Sequence, residues 1–144
     1  MKVSTILSTK GPSLISIRPE QTIREAIQIL ASRHIGALVV LDEGGELVGI
    51  LSERDIIRQT AVNEAIFSIP VSEVMTRDVV TGLPQDDIMR VAHLMTERRF
   101  RHLPILDEGK LIGIISIGDV LKLQRDHYRG EIDTLETQML AEQN

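Results

Sequence analysis

The chain has 144 residues, a formal net charge of −5 and 42% hydrophobic residues, which suits one compact domain or two small subdomains and excludes a disordered chain. It has no cysteine, so disulfides, thiolate chemistry and cysteine-type zinc sites are excluded. The acidic balance disfavours a general nucleic-acid or anionic-membrane binder, and 2% aromatic residues without tryptophan argue against a base-stacking platform.

Met1-Lys2 leads into no long apolar stretch, so no signal peptide is expected. A short apolar strand is expected at Leu14–Ile17, before Pro19. Thr22-x-x-Glu25 is a capping-box pattern. Ile23, Ala26, Ile27 and Leu30 then fall at i, i+3, i+4 and i+7, one face of a helix. Ile35 to Leu41 is the longest apolar run, far too short to cross a bilayer. Within it Ala37–Leu41 reads as a strand, joined through Asp42-Glu-Gly-Gly45 to a second strand, Leu47 to Leu51, in a hairpin. A helix follows from about Glu53. Asn63 to Val71 carries no clear period and reads as a connection.

The same order then recurs. Val79–Thr81 is expected as a short strand, and Asp86 or Asp87 as the cap of a helix carrying Ile88, Val91, Ala92 and Met95 on one face. Leu103–Leu106 and Leu111–Ile115 form a second hairpin around Asp107-Glu-Gly109, and a helix starts near Ile117. With Gly45 treated as one insertion, Pro19–Asp55 aligns with Pro84–Asp119 at thirteen identical positions, an internal repeat. The tail beyond Val120 has apolar residues among many charges. It is expected as an amphipathic helix broken near Gly130, either packed on its own body or touching a second copy. The expected divisions are 3–62, 63–73 as linker, 74–125, and 126–144 as tail.

The most specific signal is the doubled strand-to-helix turn, Gly49-Ile-Leu-Ser52-Glu-Arg-Asp55 and Gly113-Ile-Ile-Ser116-Ile-Gly-Asp119. A single copy reads as a capping box. The recurrence of Ser and Asp around divergent residues adds a second reading. A carboxylate there can accept both hydroxyls of a ribose, and the Ser hydroxyl with the free N–H groups of the helix start can meet hydroxyl or phosphate oxygens. A basic cluster, Arg98, Arg99, Arg101 and His102, stands out in an acidic chain. Arg101 and His102, at a helix-to-strand junction, are the better phosphate candidates. Gly36 and Ala37 occupy the matching positions of the first repeat, so two clefts would differ in their affinity for negative charge. Arg54 could compensate there, or pair with Glu53 or Asp55.

Other constellations fail. His34, His93, His102 and His127 have no metal spacing. No nucleophile elbow, P-loop or dinucleotide fingerprint is present. Asp86-Asp87 reads as caps, and nothing reads as an active site.

Two β-α-β-β-α units, each ending in Gly-apolar-apolar-Ser-x-x-Asp, resemble a tandem pair of CBS domains, named after cystathionine β-synthase. Val74-Met-Thr-Arg-Asp78 and Arg101-His-Leu-Pro-Ile105 resemble small stand-alone prokaryotic members. The resemblance implies an α/β (α+β) fold whose two repeats pack through their sheets with pseudo-two-fold symmetry, plus a C-terminal helix. It implies a cytoplasmic, non-catalytic regulatory module that takes AMP, ADP, ATP, NAD or S-adenosylmethionine in clefts between the repeats, with Mg²⁺ accompanying a polyphosphate. It also implies a homodimer and a separate regulated protein, with neither nucleic acid nor membrane as partner. Asp55 and Asp119 would hold ribose hydroxyls, with Ser52 and Ser116 beside ribose or phosphate. Adenine would rest on Val79 and Phe100 in one cleft and on Leu14 and Ile35 in the other, its edge read near Ala37 and His102. Thr76 matches a position that often reaches the ligand. Gly36-Ala37 lacks the polar or basic side chain often found there, and Ser8–Gly11 does not reproduce Met75-Thr76. The alternative is a structural, oligomerising protein with vestigial clefts; nucleotide hydrolysis has no candidate base.

Overall fold

The computed structural model describes residues 1–11 and 14–143. Asn144, the end of the expected tail, lies outside them. The chain runs α1 (Val3–Lys10), β1 (Ser16–Ile17), α2 (Ile23–Arg33), β2 (Ala37–Leu41), β3 (Leu47–Ser52), α3 (Glu53–Thr60), two 3-10 turns (Ile66–Ser68 and Val71–Glu73), α4 (Ile88–Arg98), β4 (His102–Asp107), β5 (Lys110–Ser116) and α5 (Ile117–Glu142).

The first unit is a three-stranded sheet in the order β1-β2-β3, with β1 parallel and β3 antiparallel to β2. The second is the β4-β5 hairpin. Its turn places Glu108 and Gly109 at φ of 50° and 80°, the left-handed pair that a tight two-residue hairpin needs. The strand expected at Val79–Thr81 is reduced to a single parallel bridge between Gly82 and Ile105. Val79 donates its N–H to the nearby Arg77 carbonyl instead of to a strand. Gly82 itself comes close to the sheet, because a Cβ there would stand 2.8 Å from Leu103 Cδ2.

Helix starts follow the sequence closely. Thr22 accepts the Glu25 N–H, and Asp87 accepts those of Met89 and Arg90. Both α2 and α4 end on a left-handed residue, His34 (φ 54°) and Arg99 (φ 59°), the usual device for closing a last turn.

The repetition extends beyond the aligned segments. Val71 and Ser72 donate to the carbonyls of Gln21 and Pro19, while Val3 and Ser4 donate to those of Asp86 and Pro84. Ile23 reaches Ile69, and Ile88 reaches Met1, in the same way. The first core therefore gathers Ile17, Ile23, Leu38 and Leu51 with Val71 and Met75. The second gathers Ile88, Leu103, Ile105 and Ile115 with Val3 and Ile6 of α1. The first unit is completed by the segment that follows it, and the second by α1 at the far end of the chain, which ties the two together.

The helix after β5 is continuous, not broken at Gly130. One glycine in a helix interior costs only about 1 kcal/mol against alanine, and Arg129 and Glu131 on either side of it are good helix formers. Of α5 only Val120 is buried, and every described residue from Arg125 onward is exposed.

Candidate functional site

At the β3–α3 junction the chain leaves the sheet at Ser52 and enters a helix, which aims the side chains of the first turn into the gap between the units. Ser52 Oγ accepts the Asp55 N–H (3.2 Å), and Asp55 Oδ2 accepts the Ser52 N–H (2.9 Å) and its hydroxyl (3.0 Å). That is a full capping box. It engages one carboxylate oxygen. An ionised carboxylate offers about four lone-pair sites, so Oδ1 remains available toward the gap. Its contact there is Thr76 Oγ1, which donates at 3.3 Å. Thr76 is held across β3 by paired backbone bonds with Ile50, at 2.8 and 3.0 Å.

A cavity of about 400 Å³ opens at this point. Ser52, Arg54, Asp55, Thr76, Val79, Phe100, Arg101 and His102 line it, together with Gly36. These come from α3, the Met75–Val80 segment and the α4–β4 junction, so the fold collects residues scattered over much of the chain. The sequence singles out each of these residues as a ligand candidate, with Arg54 set to compensate for Gly36 and Ala37. It did not place Arg58 or Asp78 here, although Arg58 lies one turn after Arg54 on the same helix face. Arg98 and Arg99 also reach the wall. Five arginines and three carboxylates line the cavity, a cationic excess in a chain of net charge −5.

Gly36 lets the units approach. A Cβ there would stand 2.7 Å from Glu53 Oε1 and 3.3 Å from the His102 ring. Burial holds the His102 pKa below the usual histidine value; Lys10 and Arg101 add to this, against the pull of Glu53 and Asp119. A neutral imidazole therefore faces the cavity.

The second turn is built alike but sits in different surroundings. Ser116 and Asp119 form the same capping box. Here Lys10, from the end of α1, lies on the carboxylate at 2.8 Å and on the Ile114 carbonyl at 2.9 Å. Burial works to raise the Asp119 pKa, but Lys10 and Ser116 outweigh it and hold the carboxyl below its ordinary value. Leu14 lines a separate open recess by the hairpin tips, with Leu41 and Leu106. Ile35 packs on the first core and Ala37 is buried. Ser116 and Asp119 line neither cavity.

Comparison with known proteins gives the same picture. The family model for the CBS domain matches residues 3–61 and 71–126. This chain belongs to the CBS-domain family. It is 34% identical over 118 residues to the CBS domain-containing protein YhcV of Bacillus subtilis, covering 82% of this chain and 84% of that one. The CBS domain pair of protein MJ0100, solved in complex with 5′-methylthioadenosine and S-adenosyl-L-methionine, superposes with a TM-score of 0.78 at 29% identity. That match covers 88% of this chain and 98% of the other. The CBS domain protein PAE2072 of Pyrobaculum aerophilum, solved with AMP, gives a TM-score of 0.74 at 29% identity over 83% and 89% of the two chains. The two repeats, the mixed α/β architecture and the C-terminal helix are thus those of a CBS pair.

Proposed function

We propose that this CBS pair is a non-catalytic regulatory module that binds a phosphorylated adenosine compound in the Asp55 cleft. One observation carries the reading: a single cavity of about 400 Å³ brings a half-buried carboxylate and two hydroxyls together with a cluster of arginines. That volume falls within the range of small-ligand sites. Asp55 Oδ1 accepts the ribose diol, with Ser52 and Thr76 beside it. Val79 and Phe100 flank the base, and backbone groups near His102 read its edge. Arg54 and Arg101 hold phosphate, as charge-assisted donors do. The complexes of MJ0100 and PAE2072 support an adenosine ligand. AMP, ADP and ATP suit the arginines better than S-adenosylmethionine, whose sulfonium is cationic.

In this reading the Asp119 position, with Ser116, Leu14, Ile35 and Ala37, is held shut by Lys10. Among the described residues no group of three or more His, Asp or Glu is placed to hold a metal ion, so Mg²⁺ would enter only with a polyphosphate. Ligand spanning the two units favours one relative orientation of them, and a regulated protein reads it.

The test is thermal melting and calorimetry with adenosine, AMP, ADP, ATP and S-adenosylmethionine. A ligand at about 100 times its dissociation constant adds roughly 2.7 kcal/mol of stability. The expected order places the phosphorylated compounds above adenosine. No shift with any of them at millimolar concentration overturns the reading in favour of a structural role, which the exposed α5 would then serve.

A further inference from the structure

The exposed face of α5 has a pattern that the cleft does not use. Ile117 and Leu123 pack on the second core and Val120 is buried in it. Leu121, one position round the helix, is 58% exposed, and Tyr128, Ile132, Leu135 and Met139 are all more than half exposed. From Tyr128 their spacing alternates four and three, a heptad seam with Leu121, Tyr128 and Leu135 at d and Ile132 and Met139 at a. Arg125 takes the preceding a position and Glu142 the last d position.

The charges beside the seam fix the direction in which a second copy would fit. In parallel register Arg125 would meet Arg125, Glu142 would meet Glu142, and Glu131 at g would face Glu136 at e. Each of these contacts is repulsive. In antiparallel register a faces d, so Ile132 meets Leu135, Tyr128 meets Met139, and Arg125 meets Glu142. The e positions then face each other and place Arg129 against Glu136 twice. The Arg125 and Glu142 repulsions are replaced by attraction, Arg129 gains Glu136, and Glu131 meets the neutral Gln138 at g instead of Glu136. The overlap runs from residue 125 to 142, about 27 Å of helix at 1.5 Å per residue. This is the stretch of α5 that stands clear of its own body, so each body lies at one end of the paired helices.

We propose that the exposed face of α5 is the docking surface for the α5 of a second copy, in antiparallel register. This does not rest on the nucleotide reading. The test is sedimentation equilibrium of the full chain with Arg129→Glu, Glu136→Arg and the double swap. Each single swap turns two attractive contacts into two repulsive ones and is expected to weaken self-association about tenfold. The double swap is expected to restore it. The absence of native cysteine adds a register check. Arg125→Cys mixed with Glu142→Cys should oxidise to a mixed covalent dimer, while neither variant alone links to itself. A monomeric wild-type chain, a Glu136→Arg variant that associates more tightly, self-linking of either cysteine variant, or association that no swap moves would each overturn the proposal.

Discussion

Lys10 Nζ lies 2.8 Å from Asp119 Oδ2, whereas the equivalent carboxylate, Asp55, has beside its capping box the hydroxyl of Thr76, 3.3 Å from Oδ1 and 3.5 Å from Oδ2. The two units share a capping turn and differ in what the preceding segment brings to it. Met75-Thr76 leaves one carboxylate facing a cavity, while the end of α1 sets a cation on the other.

If Lys10 keeps the second cleft shut, Lys10→Ala should raise nucleotide stoichiometry from one per chain toward two by calorimetry. The fold should change little, since partly exposed ion pairs contribute about 0–1 kcal/mol. An unchanged stoichiometry, with binding at the Asp55 cleft intact, would remove the gating role of Lys10.

Asp55 and Asp119 also form a matched pair for separating cap from ligand grip. Asp55→Ala and Asp119→Ala should each lose about 1 kcal/mol of stability through the broken capping box. Only Asp55→Ala should also weaken nucleotide binding, by roughly ten- to a hundred-fold for a lost charge-assisted bond. Equal binding by the two variants, with equal melting loss, would leave the turn as a cap alone.

Much of this was legible because the informative spacings are local. Gly-apolar-apolar-Ser-x-x-Asp fits inside one strand-to-helix turn, and its doubling marked the repeat, though only the first copy, Ser52 and Asp55, lines the cavity. The paired apolar runs around a Gly-containing turn, in Ala37–Leu51 and Leu103–Ile115, placed the hairpins. Lys10 was not legible in the same way, because its partner is 109 residues away and the two are brought together only by α1 crossing to the second unit. The helix α1 has Val3, Ile6 and Leu7 at i, i+3 and i+4, a pattern too short to stand out against its polar neighbours. The strand expected at Val79–Thr81 failed because apolar content does not reveal where a backbone donor goes. Those valines line the cavity and leave the pairing to Gly82.

Arg99 closes α4 with φ of 59° and also lines the cavity, so the two roles can be parted by one change. Arg99→Gly removes a left-handed side chain that costs about 1–2 kcal/mol, and the variant should melt no lower than the parent. ADP and ATP should bind several-fold more weakly while adenosine is unaffected. Equal losses for all three would remove the phosphate role.

Two groups, His102 and Asp119, have lowered pKa values that bear on the acid side of the stability profile. His102 has a folded pKa below its ordinary 6.5. The unfolded chain therefore takes up this proton first, and stability present above that pH falls as pH drops through the folded value. Asp119 is also lowered, from 3.8, so its contribution holds above that pH and is lost below it. Urea midpoints between pH 7.5 and 3 should show both declines. His102→Gln should flatten the upper one and Lys10→Ala should shrink the lower. A profile unchanged by either substitution would mean that these groups are not its source.

The two repeats should respond differently to the same added methyl group. A Cβ on Gly49 would stand 2.5 Å from Met75 Sδ, 3.0 Å from its Cγ and 3.1 Å from the Thr76 carbonyl oxygen. The sulfur can swing away, but the carbonyl belongs to the backbone pair that holds Thr76 on Ile50. On Gly113 the close neighbour is Leu7 Cδ2 at 2.7 Å, the far end of a flexible side chain. Gly49→Ala should therefore push the Met75–Thr76 segment off β3 and cost roughly 1–3 kcal/mol, as overpacking of a filled site does. It should also weaken nucleotide binding by moving Thr76 away from Asp55. Gly113→Ala should cost less and leave binding at that cleft unchanged. Denaturant midpoints and calorimetry on the two variants decide it, and an equal loss of binding in both would detach the cleft from the segment that walls it.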